Sequence, residues 1–186
     1  MTQLEVRVRA TAQFRFDAAS EQRLAKLYQI LRKLRVNVRE QPHITLFTCE
    51  NLPLKPVCKR LKRISQRFSR FEVKFYSAGI FFGTAGLEGV RRSVLFLQPI
   101  CTETLLEIHK QATCLLDKGS KADLSPHHAR DQWVPHVTVA TDLSNAKLVH
   151  LLDVVQGSIS LPITATVDRI EFLSRQHKEE FYFKGS

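Results

Sequence analysis

The sequence predicts an α+β fold of antiparallel sheets flanked by helices, and three observations carry that prediction. Segments that alternate apolar and polar residues with period two, the mark of a half-buried strand, come in neighbouring runs. Between those runs lie stretches whose apolar residues recur at helical spacing. Two strands also match each other. Pro42-His43-Ile44-Thr45-Leu46-Phe47-Thr48 is echoed 93 residues on by Pro135-His136-Val137-Thr138-Val139-Ala140-Thr141.

Taken in order, Leu4 to Arg9 alternates cleanly and opens a strand expected to run to Phe16. Asp17 or Ser20 caps a helix whose stripe is Leu24, Leu27, Tyr28, Leu31 and Leu34. The first matched strand follows at about 42–49. After Pro53 comes a second helix, with Leu54, Val57, Cys58, Leu61, Ile64 and Phe68 inward. Its other face carries Lys55, Lys59, Arg60, Lys62, Arg63 and Arg67, either a solvated surface or an RNA-contacting patch. Phe71 to Phe75 alternates and ends near Gly79.

Phe82 to Gly89 holds three glycines and reads as a turn between strands. It lacks the spacing of a phosphate-cradling P-loop, and no helical pattern follows. Val94 to Leu97 is a continuous apolar run, hence a buried strand. Thr102 caps a helix with Leu105, Ile108, Ala112 and Leu115 inward, stopped by Gly119. A polar loop over 118–132 leads into the second matched strand. A helix at about 144–155 and strands near 158–174 and 178–184 complete the pattern.

At 186 residues the chain fits one domain, or two small lobes sharing a cleft. No run approaches the roughly 18 apolar residues of a membrane span. Met1 to Val6 has no basic or apolar region of the signal-peptide kind, so the expected location is the cytoplasm. Cys49, Cys58, Cys101 and Cys114 have no Cys-x-x-Cys spacing and read as reduced and structural. A net charge of +10 favours a polyanionic partner such as RNA.

The matched strands carry the chemistry. With 7 His and 44% hydrophobic residues, about 0.09 His-apolar-Thr-apolar strings are expected by chance. Alternation puts His43 and Thr45 on one face and Ile44 and Leu46 on the other, and likewise His136 and Thr138 against Val137 and Val139. A His-Thr face needs polar partners, which a bound phosphate supplies. Two facing histidines divide the labour, one taking a proton while the other gives one. Threonine hydroxyls stabilise the charge that grows on a five-coordinate phosphorus. No metal or other cofactor is required, and the pattern differs from a zinc site with histidines at i and i+4. Thr48 and Thr141, at i+3, face the other side of a regular strand and are not counted with the site.

His43-Ile44-Thr45-Leu46 and His136-Val137-Thr138-Val139 resemble the two H-x-T-x signatures of the 2H phosphoesterase superfamily, which contains LigT-like 2′,5′-RNA ligases and RNA 2′,3′-cyclic phosphodiesterases. The likeness extends to a Gly-x-Phe turn, Gly79-Ile80-Phe81, before the apolar strand Val94 to Leu97, and to the Pro135-His136 entry. It implies a bilobal LigT-like fold. Residues 1–186 would form one domain of two interleaved, pseudo-twofold-related lobes, with a His-Thr strand from each lining a central cleft.

By the same resemblance His43 and His136 are the catalytic pair, and Thr45 and Thr138 bind the phosphate. The implied activity is metal-independent hydrolysis of 2′,3′-cyclic phosphates on RNA ends or nucleotides by a monomer. The alternatives are cleavage or ligation of 2′,5′ linkages, and a non-catalytic nucleotide-binding module. Trp133 and Phe82 are candidates to stack on a base and Arg130 to meet a phosphate, against core packing for the aromatics and solvation for the arginine. His127 and His128, with Asp123 or Asp131, are too sparse a set for a metal and read as loop surface. His109, His150 and His177 are expected on helix or turn surfaces without a role.

Overall fold

The computed structural model describes residues 9–38, 41–50, 54–83, 92–114, 132–158, 160–175 and 177–186. Eleven elements follow in order: β1 (Arg9–Phe16), α1 (Ala18–Lys33), β2 (Ile44–Glu50), α2 (Leu54–Arg67), β3 (Phe71–Phe81), β4 (Ser93–Pro99), α3 (Glu103–Thr113), β5 (Val137–Leu143), α4 (Asn145–Ser158), β6 (Ile163–Ser174) and β7 (Lys178–Tyr182). The predicted α+β class holds. The antiparallel strands, however, belong to one continuous sheet of seven, ordered β1-β2-β5-β4-β3-β6-β7, with β1 also paired to β6.

That extra pairing closes the sheet on itself, and β6 is the hinge. Val167 is partnered by both Phe16 and Phe71, so β1 and β3 lie on opposite edges of β6. Beyond Val167 the edge vacated by β3 is taken by β7, through Arg169–Tyr182 to Leu173–Lys178. Across the ring, β2 and β5 meet at a single pair, Ile44–Val137. Two halves result: β7-β6-β1-β2, covered by α2 and α3, and β6-β3-β4-β5, covered by α1 and α4.

The helices sit where the apolar stripes require. Asp17 caps α1, its carboxylate accepting from the Ser20 backbone N–H at 2.8 Å, and Leu24, Leu27, Tyr28 and Leu31 are buried. Thr102 caps α3 as the sequence indicates, but α3 ends at Thr113, before Gly119. Phe14, Phe16, Phe47, Phe75 and Phe172 are fully buried between sheet and helices, each contributing about 1.5–3 kcal/mol of apolar burial.

Several local expectations need correction. Gly79-Ile80-Phe81 forms the end of β3 rather than a turn. His109 is buried on the inner side of α3, because its ring stacks on Trp133 with centroids 3.9 Å apart. Among the cysteines, all free, only Cys49 is fully buried, and burial pushes its thiol up to about 12. The basic helix α2 packs Val57, Leu61 and Ile64 into the core on the sheet face opposite Thr45, and Arg60 donates to the Gln111 carbonyl at 3.2 Å. Residues 4–8, 115–131 and most of the glycine-rich segment lie outside the described residues.

Candidate active site

The single β2–β5 pair decides which side chains meet. Ile44 partners Val137 in an antiparallel register. Carried one residue each way, that register places His43 across from Thr138 and Thr45 across from His136. Directly opposed residues on one face have Cβ atoms roughly 4.5–5.5 Å apart. Each histidine therefore faces the other motif's threonine. The burial pattern repeats as well: Pro, the third residue and the fifth are buried in both motifs, while His and the first Thr are half-buried.

Each imidazole is oriented in the same way. His43 Nδ1 lies 3.0 Å from the Gln41 carbonyl, and His136 Nδ1 lies 2.7 Å from the Val134 carbonyl, two residues back in both cases. A carbonyl only accepts, so each Nδ1 carries its proton and Nε2 is the acceptor of the neutral ring. The proline between that carbonyl's residue and the histidine bends the chain into this local arrangement: Gln41-Pro42-His43 and Val134-Pro135-His136.

The outer threonine of the first motif requires a correction. On β1, Ala12 partners Phe47 and Gln13 partners Thr45, so Leu46 is an extra residue bulged out of the β2 register. On β4, Leu95 partners Ala140 and Phe96 partners Thr138, so Val139 is the extra residue of β5. A bulge of one residue reverses the alternation beyond it. Thr48 is thereby returned to the face of Thr45, where it meets Thr11 hydroxyl to hydroxyl at 3.1 Å, whereas a second irregularity between Leu95–Ala140 and Ser93–Leu143 interrupts the alternation of β5 at Thr141 and Asp142. In the first motif the Thr-x-x-Thr spacing is the sequence trace of this bulge.

In both motifs an aromatic donor also meets the carbonyl of the inner threonine, the residue just before the bulge. Tyr28 on α1 donates its hydroxyl to the Thr138 carbonyl at 2.7 Å, and Trp133 donates its indole N–H to the Thr45 carbonyl at 3.0 Å. Trp133 is buried and its ring lies flat against His109. It buttresses β2 and is not placed to stack on a base. Phe82, just past β3, is 73% exposed. Arg130, with His127 and His128, lies outside the described residues.

A cavity of about 810 Å³ opens on the His43 side. Its walls include Arg9, Thr11, Gln13, Arg15, His43, Thr45, Thr48, Glu171 and Lys178; His136 and Thr138 do not line it. Its floor is a charged network: Gln13 donates to Glu171 at 2.5 Å, and Arg15 reaches Glu171 at 3.3 Å and Glu21 at 2.6 Å. Lys178 meets the other Glu171 oxygen at 2.9 Å. Burial alone would raise the Glu171 pKa, but hydrogen bonds from Lys178 and Gln13 and the Arg15 charge outweigh it and lower it. The His136 side is aromatic. Phe81 meets the imidazole edge-on at 4.9 Å, Phe96 lies 5.2 Å away, and these two phenyl rings stack at 4.3 Å.

Sequence and structure comparisons bear on this geometry. Residues 11–179 match the 2′-5′ RNA ligase superfamily. No curated protein matches the chain in sequence. Among solved structures the fold is similar to TT0787 of Thermus thermophilus, with a TM-score of 0.59 and 17% identity over 96% of this chain and 99% of that one. It is similar to E. coli LigT in apo form, with a TM-score of 0.55 and 16% identity over 96% and 95%. Usb1 of Kluyveromyces marxianus follows, with a TM-score of 0.52 and 11% identity over 94% and 98%.

Proposed function

The chain belongs to the 2′-5′ RNA ligase superfamily, the 2H phosphoesterases, and on that premise we propose that it hydrolyses the 2′,3′-cyclic phosphate of RNA ends or nucleotides to a 2′-phosphate. The observation that supports this reading is the Ile44–Val137 pair: these are the third residues of the two motifs, and their pairing brings the two His-Thr strands side by side.

In this reading one neutral imidazole takes a proton from water through Nε2 as the water oxygen forms its bond to phosphorus. The bond from phosphorus to the ribose 3′ oxygen breaks on the opposite side. The other ring, protonated at the start, gives its proton to that departing oxygen through Nε2. Proton count is conserved, and the two rings exchange states once per turnover. Each positioned acid or base contributes about 10²–10⁴-fold. Thr45 and Thr138 donate to the non-bridging oxygens as charge accumulates there, an interaction stronger in the transition state than in the ground state. The chemistry needs no metal ion, because a proton acceptor and a proton donor on opposite sides suffice for in-line displacement.

Substrate orientation follows from the unlike walls. The polar cavity beside His43 suits phosphate and ribose, and the aromatic side beside His136, extended by exposed Phe82, suits a base. Cleavage of 2′,5′ linkages is the second reading, favoured by the room the 810 Å³ cavity leaves beyond His43 for a second nucleotide. The deciding assay incubates the protein with EDTA and either cyclic-phosphate-ended RNA or 2′,5′-oligoadenylate. A linear 2′-monophosphate from the first supports the leading reading. Cleavage of the second alone moves the assignment to 2′,5′ linkages, and inertness toward both, with AMP bound, leaves a binding module.

A further inference from the structure

Behind the cavity wall, on the helix side of the β6–β7 hairpin, three ligand-type side chains from a helix, a turn and a strand converge. Cys58 comes from the second turn of α2, His177 from the hairpin turn and Glu179 from β7. Cys58 Sγ lies 3.6 Å from His177 Nε2, and the same Nε2 lies 3.1 Å from Glu179 Oε2. All three ligand atoms fall within 4.8 Å of one another.

We propose that Cys58, His177 and Glu179 form a binding site for a borderline divalent cation of the Zn²⁺ class. Bonds of about 2.3 Å to sulfur and 2.0 Å to nitrogen at a tetrahedral angle separate those two ligands by about 3.5 Å, close to the 3.6 Å here. The three ligand atoms lie near enough for one cation to bond all of them, displacing the thiol proton that Cys58 otherwise shares with Glu179. The thiol and imidazole select against Mg²⁺ and Ca²⁺, which take oxygen ligands.

The placement is built. Ser174 N–H donates to the His177 carbonyl at 2.7 Å and closes the turn, and the imidazole packs against buried Phe172 at 6.2 Å. Phe172 partners Glu179 across the hairpin, which puts ring and carboxylate on the same face. His177 and Glu179 keep 38% and 41% of their side-chain surface exposed, so a cation enters from solvent and retains a water as fourth ligand. Bound there, it ties α2 to the strand whose Lys178 points the other way, to Glu171 in the cavity floor.

The test titrates reduced protein with Zn²⁺ by calorimetry, and with Co²⁺ by absorption, where a thiolate ligand gives an intense charge-transfer band. One equivalent of Zn²⁺, a raised Tm, the Co²⁺ band and indifference to Mg²⁺ are expected. Cys58→Ser, His177→Ala and Glu179→Gln, each checked for folding by circular dichroism, should each weaken Zn²⁺ by more than the about 10–100-fold typical of losing an outer-shell partner. The His43→Ala/His136→Ala double variant should bind unchanged. Absence of the Co²⁺ band, or Zn²⁺ uptake that survives Cys58→Ser but is lost in the double variant, would overturn the site.

Discussion

Two equivalent rows of the sheet flank the motif threonines. On one side Thr45 is partnered by Gln13, and Gln13 in turn by Glu171. On the other Thr138 is partnered by Phe96, and Phe96 by Gly79. Both halves share a proline, a carbonyl-held imidazole, a bulge just after the inner threonine and an aromatic donor on that threonine's carbonyl. The neighbouring side chains are opposite in character, polar and charged against aromatic. Gly79 explains part of this, since a Cβ there would lie 2.4 Å from Phe96 Cζ, and only its absence lets the ring cross β3 and reach His136. The proposed acid–base exchange draws on the symmetry of the backbone, and the proposed substrate orientation on the asymmetry of the rows.

The strongest way to break this comparison is to remove the histidines one at a time. His43→Ala and His136→Ala should each lower turnover of cyclic-phosphate RNA by about 10²–10⁴-fold while leaving the Tm nearly unchanged. Near-full activity in either variant would show that the halves are not equivalent in the chemistry. Next come the carbonyl anchors. Tyr28→Phe and Trp133→Phe each leave an inner threonine's carbonyl without its donor, at about 1–3 kcal/mol of stability. Denaturant titration should show the larger loss for Trp133, which also loses its fit against His109; an equal or smaller loss would mean the indole adds only its hydrogen bond.

Gly79→Ala sharpens the contrast between the rows. Crowding Phe96 should cost about 1–3 kcal/mol and raise KM for substrates carrying a base more than for a base-free cyclic phosphate. An equal change in both KM values would sever the aromatic row from base binding. Thr48→Val removes the Thr11 hydroxyl contact and should cost about 0.5–1.5 kcal/mol by thermal melting. The smallest effect is acid sensitivity. Because Glu171 has a folded pKa below its usual 4.5, its contribution is present above about pH 4.5 and is lost as pH falls through the folded value. Glu171→Gln should flatten that part of the acid-unfolding curve, and an unaltered curve would mean the carboxylate is not held by its partners.

Much of this is legible from residue order alone. The stripe from Leu24 to Leu31, the Asp17 and Thr102 caps and the alternation in Phe71 to Phe75 are local patterns, and they form α1, α3 and β3 as read. His43, Thr45, His136 and Thr138 stand out by type and spacing, and the third residues of their motifs, Ile44 and Val137, pair between β2 and β5. Thr48 does not stand out, because regular alternation sends i+3 to the far face; the bulge at Leu46 reverses that. Trp133 reads as available to a base, and only the fold shows its N–H on Thr45 and its ring on His109. Cys58 and His177, 119 residues apart, carry no shared signal.

The sequence by itself determined the element types and picked out the two His-Thr motifs, because helix and strand periodicity and side-chain type are properties of nearby residues. The tertiary structure alone decided the register that pairs each histidine with the other motif's threonine, the bulges, and the polar and aromatic walls. Those depend on which distant strands share hydrogen bonds, and a one-residue shift in that pairing moves every side chain to the other face.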